Sequence, residues 1–172
     1  MRSAIAALAA LLAVPAAAAP VPAPAFAAAA PKGWSVVAEE DGVTYLGPKD
    51  EHKVSAQVNV RWVAPGNPSY ADAAAYVARL TRKPAVPVPG WKTYPVETAS
   101  VAGREARRVR VDSSEFVPPR SRLTKEVPMA EEHVVVPASK GFYVIFFYAP
   151  RTMAAKNRAA LLSVLKSFKP LY

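Results

Sequence analysis

Val54, Ala56, Val58, Val60 and Trp62 alternate with Ser55, Gln57, Asn59 and Arg61. Period two over nine residues puts the apolar side chains on one side of an extended chain, whereas a helix would scatter them around its axis. The segment therefore predicts a β-strand with one buried and one wet face. Its simplest setting is an antiparallel sheet covered mainly on one side.

Other segments extend the same pattern. Trp34–Ala38 and Val43–Leu46 predict two strands around a polar turn that ends in Asp41-Gly42, the second stopped by Gly47-Pro48. Lys92–Val101 and Arg104–Ser114 predict two more, joined at Ala102-Gly103. Glu131–Pro137 and Phe142–Tyr148 predict a hairpin across Ser139-Lys140-Gly141. Phe142–Tyr148 is apolar on both faces, the mark of a central strand. A helix is expected from Ser69, with Asp72 in a capping-box position and Tyr70, Ala73, Val77 and Leu80 on one stripe. A second helix is expected after Thr152 as its cap, burying Leu161, Val164 or Leu165, and Phe168. Pro118-Pro119 to Pro128 reads as a long basic loop. The order β-β-β-α-β-β-β-β-α places strands beside strands and predicts an α+β fold, an antiparallel β-sheet flanked by helices.

The 172 residues contain no cysteine, which excludes a disulfide scaffold, a thiolate metal site and a thiol enzyme. Arg2 precedes an apolar run, Ala4–Val14, and then an Ala- and Pro-rich stretch, the order of a secretory signal peptide. The run is too short to span a bilayer core, which takes about 20 residues. Two small-x-small cleavage sites fit, Ala16-Ala17-Ala18 and Ala25-Phe26-Ala27, and the second matches the pattern better. The expected division is a signal peptide over 1–27, a flexible lead-in over 28–32 and one domain over 33–172. The mature chain would be periplasmic or secreted, with no transmembrane segment.

Gly33-Trp34, Gly42-Val43-Thr44-Tyr45, Ala102-Gly103-Arg104-Glu105-Ala106, and Phe142–Phe146 leading to a helix that ends Ser167-Phe168-Lys169-Pro170 occur in this order. In order and spacing they resemble the PsbP-like superfamily, over about Pro31 to Pro170. The resemblance implies an α/β/α sandwich, with a binding or assembly role rather than catalysis; no cofactor is expected. The chain departs from lipoprotein relatives in lacking an anchoring cysteine, and no functional residue carries over.

The residues themselves offer little catalytic chemistry. A Ser-His-acid hydrolase needs a base beside its nucleophile, and the chain has two histidines and no Gly-x-Ser-x-Gly elbow. Asp50-Glu51-His52 and Glu131-Glu132-His133 each place carboxylates beside an imidazole. If the two segments met, His52 and His133 with those acids would suit zinc or manganese. Otherwise they are a solvated loop and a strand end.

The net charge is +9, from 22 Lys+Arg against 13 Asp+Glu. It concentrates in the stretch from Arg104 to Lys125. Arg108 and Arg110 share a strand face opposite Val109 and Val111 and, with Arg120, Arg122 and Lys125, form the candidate binding residues. The bland alternative is a wet, positively charged sheet face. The sequence thus supports an exported, non-enzymatic binding or accessory protein of the cell envelope. Its partner would be a protein or an anionic envelope component. Nucleic acid is excluded by export and by the lack of an aromatic-studded basic sheet motif.

Overall fold

The computed structural model describes residues 25–119 and 124–172. Ten strands and two helices follow in chain order. They are β1 (Phe26–Ala27), β2 (Ser35–Ala38), β3 (Gly42–Lys49), β4 (Ser55–Val63), α1 (Ala73–Thr81), β5 (Lys92–Thr93), β6 (Glu97–Val101), β7 (Arg104–Val117), β8 (Lys125–Pro137), β9 (Phe142–Pro150), α2 (Arg151–Ser167) and β10 (Lys169–Pro170). The fold is α+β. Its main sheet runs β2-β3-β4-β9-β8-β7-β5, with β6 also paired to β7, and every pairing is antiparallel.

The alternation in β4 sorts side chains between two layers. Ala56, Val58 and Val60 are buried with Val134, Val136, Tyr143 and Ile145 beneath Leu161, Val164 and Phe168 of the α2 segment. On the opposite side Val63, Val135, Phe142 and Val144 pack under Tyr76 of α1. Strand β9 sits between β4 and β8 and feeds both layers, which is why its sequence is apolar on both faces.

Several local expectations change. Asp72 is itself the cap of α1, its Oδ1 accepting from the Ala75 amide at 2.8 Å. Thr152 lies inside the first turn of α2, which starts after Pro150 without a side-chain cap. Gly47-Pro48 does not stop β3: the ladder shifts register between Leu46 and Lys49 and continues. The predicted strand Lys92–Val101 is one edge in two pieces. Tyr94 still donates to the Arg110 carbonyl, but Pro95 has no N–H to give. The loop expected up to Pro128 ends sooner, since β8 starts at Lys125 and buries Val127 and Met129.

Glycine is required at Gly141, in the β8–β9 turn. Its φ is +68°, and a Cβ there would sit 2.0 Å from the Val63 carbonyl oxygen. This close approach lets Trp62 Nε1 donate to the Lys140 carbonyl at 2.9 Å. The segment from Ala25 also packs on the α2 face. Phe26 is buried, and β1 pairs with β10. Among the described residues, no helix is long and apolar enough to cross a membrane.

Candidate functional site

Strand β7 points Arg108, Arg110 and Asp112 toward α2, because each pairs opposite an inward-facing β8 residue or its neighbour: Val134, Glu132 and Ala130. From α2, Arg151 and Arg158 stand seven residues apart, two turns along one stripe. The two sets meet. Glu132 is almost fully buried and takes Arg158 Nε at 3.1 Å. Arg108 Nε lies 3.0 Å from its other oxygen, but off the line of a hydrogen bond, so that contact is Coulombic. Arg110 Nη2 donates to Glu97 at 2.5 Å. Arg151 Nη2 and the Tyr94 hydroxyl both reach Asp112 Oδ2, at 2.8 and 2.9 Å. Lys92 and Arg110 lie over the Tyr94 ring, 4.6 and 5.2 Å from its centroid.

Of these groups Tyr94, Arg110, Asp112, Glu132 and Arg158 border a cavity of about 320 Å³, lined also by Glu131, by Ala130 and Phe147 of the sheet and by Ala154 and Ala155 of α2; Arg151 adjoins it through Asp112. Small alanines on α2 leave the space, and the longer side chains ring it. Four guanidinium groups face the three carboxylates Glu97, Asp112 and Glu132. Positive charge is therefore in surplus. Glu132, through its hydrogen bond and its charge, holds Arg158 above the ordinary arginine range. The side chains of Arg110, Arg151 and Arg158 are each about half exposed, at 45, 53 and 45 %. Each guanidinium carries five donors in a planar fork, more than its carboxylate partner consumes. The remaining N–H groups suit phosphate or carboxylate oxygens.

The structure divides the candidate residues found in the sequence. Arg108 and Arg110 are in the cleft, and Arg108 is mostly occluded rather than on a wet face. Lys125 pairs with Val117, seven positions along the ladder from Glu132, roughly 23 Å away and on the opposite face of the sheet. Arg120 and Arg122 lie outside the described residues. Glu97, Tyr94, Arg151 and Arg158 escaped the sequence reading, and Glu132 entered it only as a carboxylate beside His133 for a metal. The Arg151–Arg158 spacing was a usable signal for a common helix face, but nothing in the sequence says that this face meets β7.

The two histidines do not meet. His52 lies by Asp50 and Glu51 in the β3–β4 turn, in a hollow with Val127, Pro128, Arg151 and Thr152. His133 is buried under α1, where Nδ1 meets the Tyr76 hydroxyl at 3.1 Å and Nε2 faces Glu131 at 3.4 Å. Among the described residues, no three His, Cys, Asp or Glu side chains are placed to hold a metal ion. The metal reading through His52 and His133 is thereby corrected. Odd and even positions of β8 face opposite layers, so Glu131 and Glu132 serve different networks.

Around His133 the α1 layer holds its own polar chain. Ser113 donates to Glu131 at 2.5 Å, not to a histidine, and the His133 ring stacks on Phe146 at 4.3 Å. Burial pushes the Tyr76 hydroxyl up, against the opposing charge of Arg61. A groove beside α1, lined by Ala73, Val77, Val96 and Val135, has only Arg107 as a charged wall. It lacks the converging polar groups of the α2 cleft.

No protein-family model and no curated protein matches the chain. Among solved structures it is similar to LpqN of Mycobacterium tuberculosis, a protein involved in cell envelope biogenesis, with TM-score 0.53 and 15 % identity over 84 % of this chain and 82 % of that one. It also matches PA94 of Pseudomonas aeruginosa, of unknown function, with TM-score 0.49 and 14 % identity over 75 % of this chain and 78 % of that one. The likeness to LpqN is one of fold.

Proposed function

We propose that the chain is an exported, non-enzymatic accessory protein of the cell envelope, of the PsbP-like type. It holds an anionic envelope component at the mouth of the cleft between α2 and β7–β8. The observation that carries this reading is one cluster of ion pairs between four guanidiniums and three carboxylates, in which Arg110, Arg151 and Arg158 are half exposed, beside a cavity that Arg110 and Arg158 line. Their internal carboxylates hold the forks in place, which lowers the ordering cost of capturing an anion. The fold likeness to a protein of cell envelope biogenesis supports the setting.

The test is co-sedimentation with vesicles, one set containing anionic phospholipid and one wholly zwitterionic. Binding to the anionic set alone, weakening between 50 and 300 mM salt, is the expected result. Arg110→Glu and Arg151→Glu each change the rim by two charges. At about 1 kcal/mol per charge near an anionic surface, each should cost roughly 30-fold in affinity. Equal binding to both vesicle types, or indifference to both substitutions, would remove the proposal.

A further inference from the structure

We infer that the export leader is cut after Ala18, so that the mature chain retains residues 19–27 and uses Ala25–Ala29 as a strap closing the α2 layer. The inference rests on the export reading and assigns a processing site within it. Both Ala16-Ala17-Ala18 and Ala25-Phe26-Ala27 satisfy the small-x-small rule, and pattern alone favours the second. Packing reverses that choice.

Phe26 is 5 % exposed. Its ring lies 6.3 Å from Tyr143, edge-on, and 5.9 Å from Phe168, while Tyr143 and Phe168 are 5.2 Å apart. The three rings form one cluster between β9 and the end of α2. The backbone is engaged on both sides of Phe26. The Ala25 carbonyl accepts from the Tyr143 hydroxyl at 2.9 Å and from the Leu171 amide at 3.1 Å. The Ala28 carbonyl accepts from the Tyr45 hydroxyl at 2.9 Å, and the Ala29 amide donates to Ser167 Oγ at 3.0 Å.

A cut after Ala27 would delete the Phe26 ring and the Ala25 carbonyl together. It would open a cavity between Tyr143 and Phe168 and leave the hydroxyl of a fully buried tyrosine without its acceptor. It would also create an ammonium group at Ala28, whose carbonyl Tyr45 already uses. Leader cleavage acts on the unfolded, translocating chain, so access to the strap is no obstacle. The strap matters in the product: a cut after Ala18 leaves it whole, and that site lies four residues beyond the apolar run that ends at Val14.

The full chain, expressed with its own N-terminus in a secreting bacterial host, decides the matter by intact mass and N-terminal sequencing of the exported product. A start at Ala19 is expected. A start at Ala28 overturns the inference while leaving export intact, and a start at Met1 removes the export reading and the inference with it. Phe26→Ala in the same full chain gives a second readout, since it preserves the small-x-small pattern at 25–27. The exported F26A product should melt roughly 10 °C lower than the parent. An unchanged melting temperature would mean that residue 26 is absent from the mature protein or outside its core, and would refute the strap.

Discussion

Replacing Glu132 with alanine removes the carboxylate on which two guanidinium groups converge. Its side chain is 6 % exposed, and Arg108 Nε and Arg158 Nε lie 3.0 and 3.1 Å from its oxygens. Losing one partner of a buried ion pair costs about 3–5 kcal/mol when the remaining charge is stranded. Here the stranding is partial. Arg158 is 45 % exposed and turns to solvent, whereas Arg108, 24 % exposed, keeps only a 3.6 Å contact with Glu97. We expect Glu132→Ala to cost about 2–3 kcal/mol, a drop of roughly 5–10 °C in melting temperature for a chain of this size. Arg158→Ala is the control. It leaves Glu132 beside Arg108 and removes a half-exposed cation, so it should cost only about 1 kcal/mol. Chemical denaturation of both variants at one pH and salt measures the difference. If Arg158→Ala costs as much as Glu132→Ala, the carboxylate is not the hub of the cleft.

Two further outcomes follow from the structure. Tyr148 donates to Glu115 at 2.7 Å, and burial first, then that acceptor and its charge, push its hydroxyl well above the ordinary value of 10.0. A raised folded-state pKa contributes stability that is complete below the unfolded value and is lost as pH rises beyond it. Melting temperature should therefore begin to fall above about pH 10, and more gently in Tyr148→Phe, which gives up about 1 kcal/mol at neutral pH; identical alkaline slopes would contradict this. Gly141→Ala combines a left-handed backbone with a Cβ against the Val63 carbonyl, so urea denaturation should show a loss above about 2 kcal/mol.

Much of the sheet was legible in the chain. The alternation of Val58 and Val60 with Asn59 and Arg61 told which faces separate in β4, and the unbroken apolar run of Phe142–Tyr148 told that β9 lies at the centre. These signals are local, since side-chain direction in a strand follows from backbone geometry alone. The same rule put Arg108 and Arg110 on one face. It failed where a local cue competed with long-range pairing. Gly47-Pro48 looked like a stop, yet pairing with β4 resumes past it after a one-residue shift of register. Pro118–Pro128 looked like a loop, yet Val127 and Met129 are drawn into the ladder opposite Glu115 and Ser113. Phe26 looked like part of a discarded leader, because nothing near it in sequence reveals Tyr143 and Phe168 as its neighbours.

The sequence by itself determined the α+β class, the two-faced strands and the location of excess positive charge, because each depends on residue type and spacing over a few positions. Only the tertiary structure decided that Arg108 and Arg158 meet at Glu132 while Arg151 reaches Asp112, that Lys125 belongs to the other face, and that His52 and His133 stay apart. Those relations join residues tens of positions apart. Their cause is which helix the sheet needs to cover each apolar face, a property of the whole core rather than of any segment.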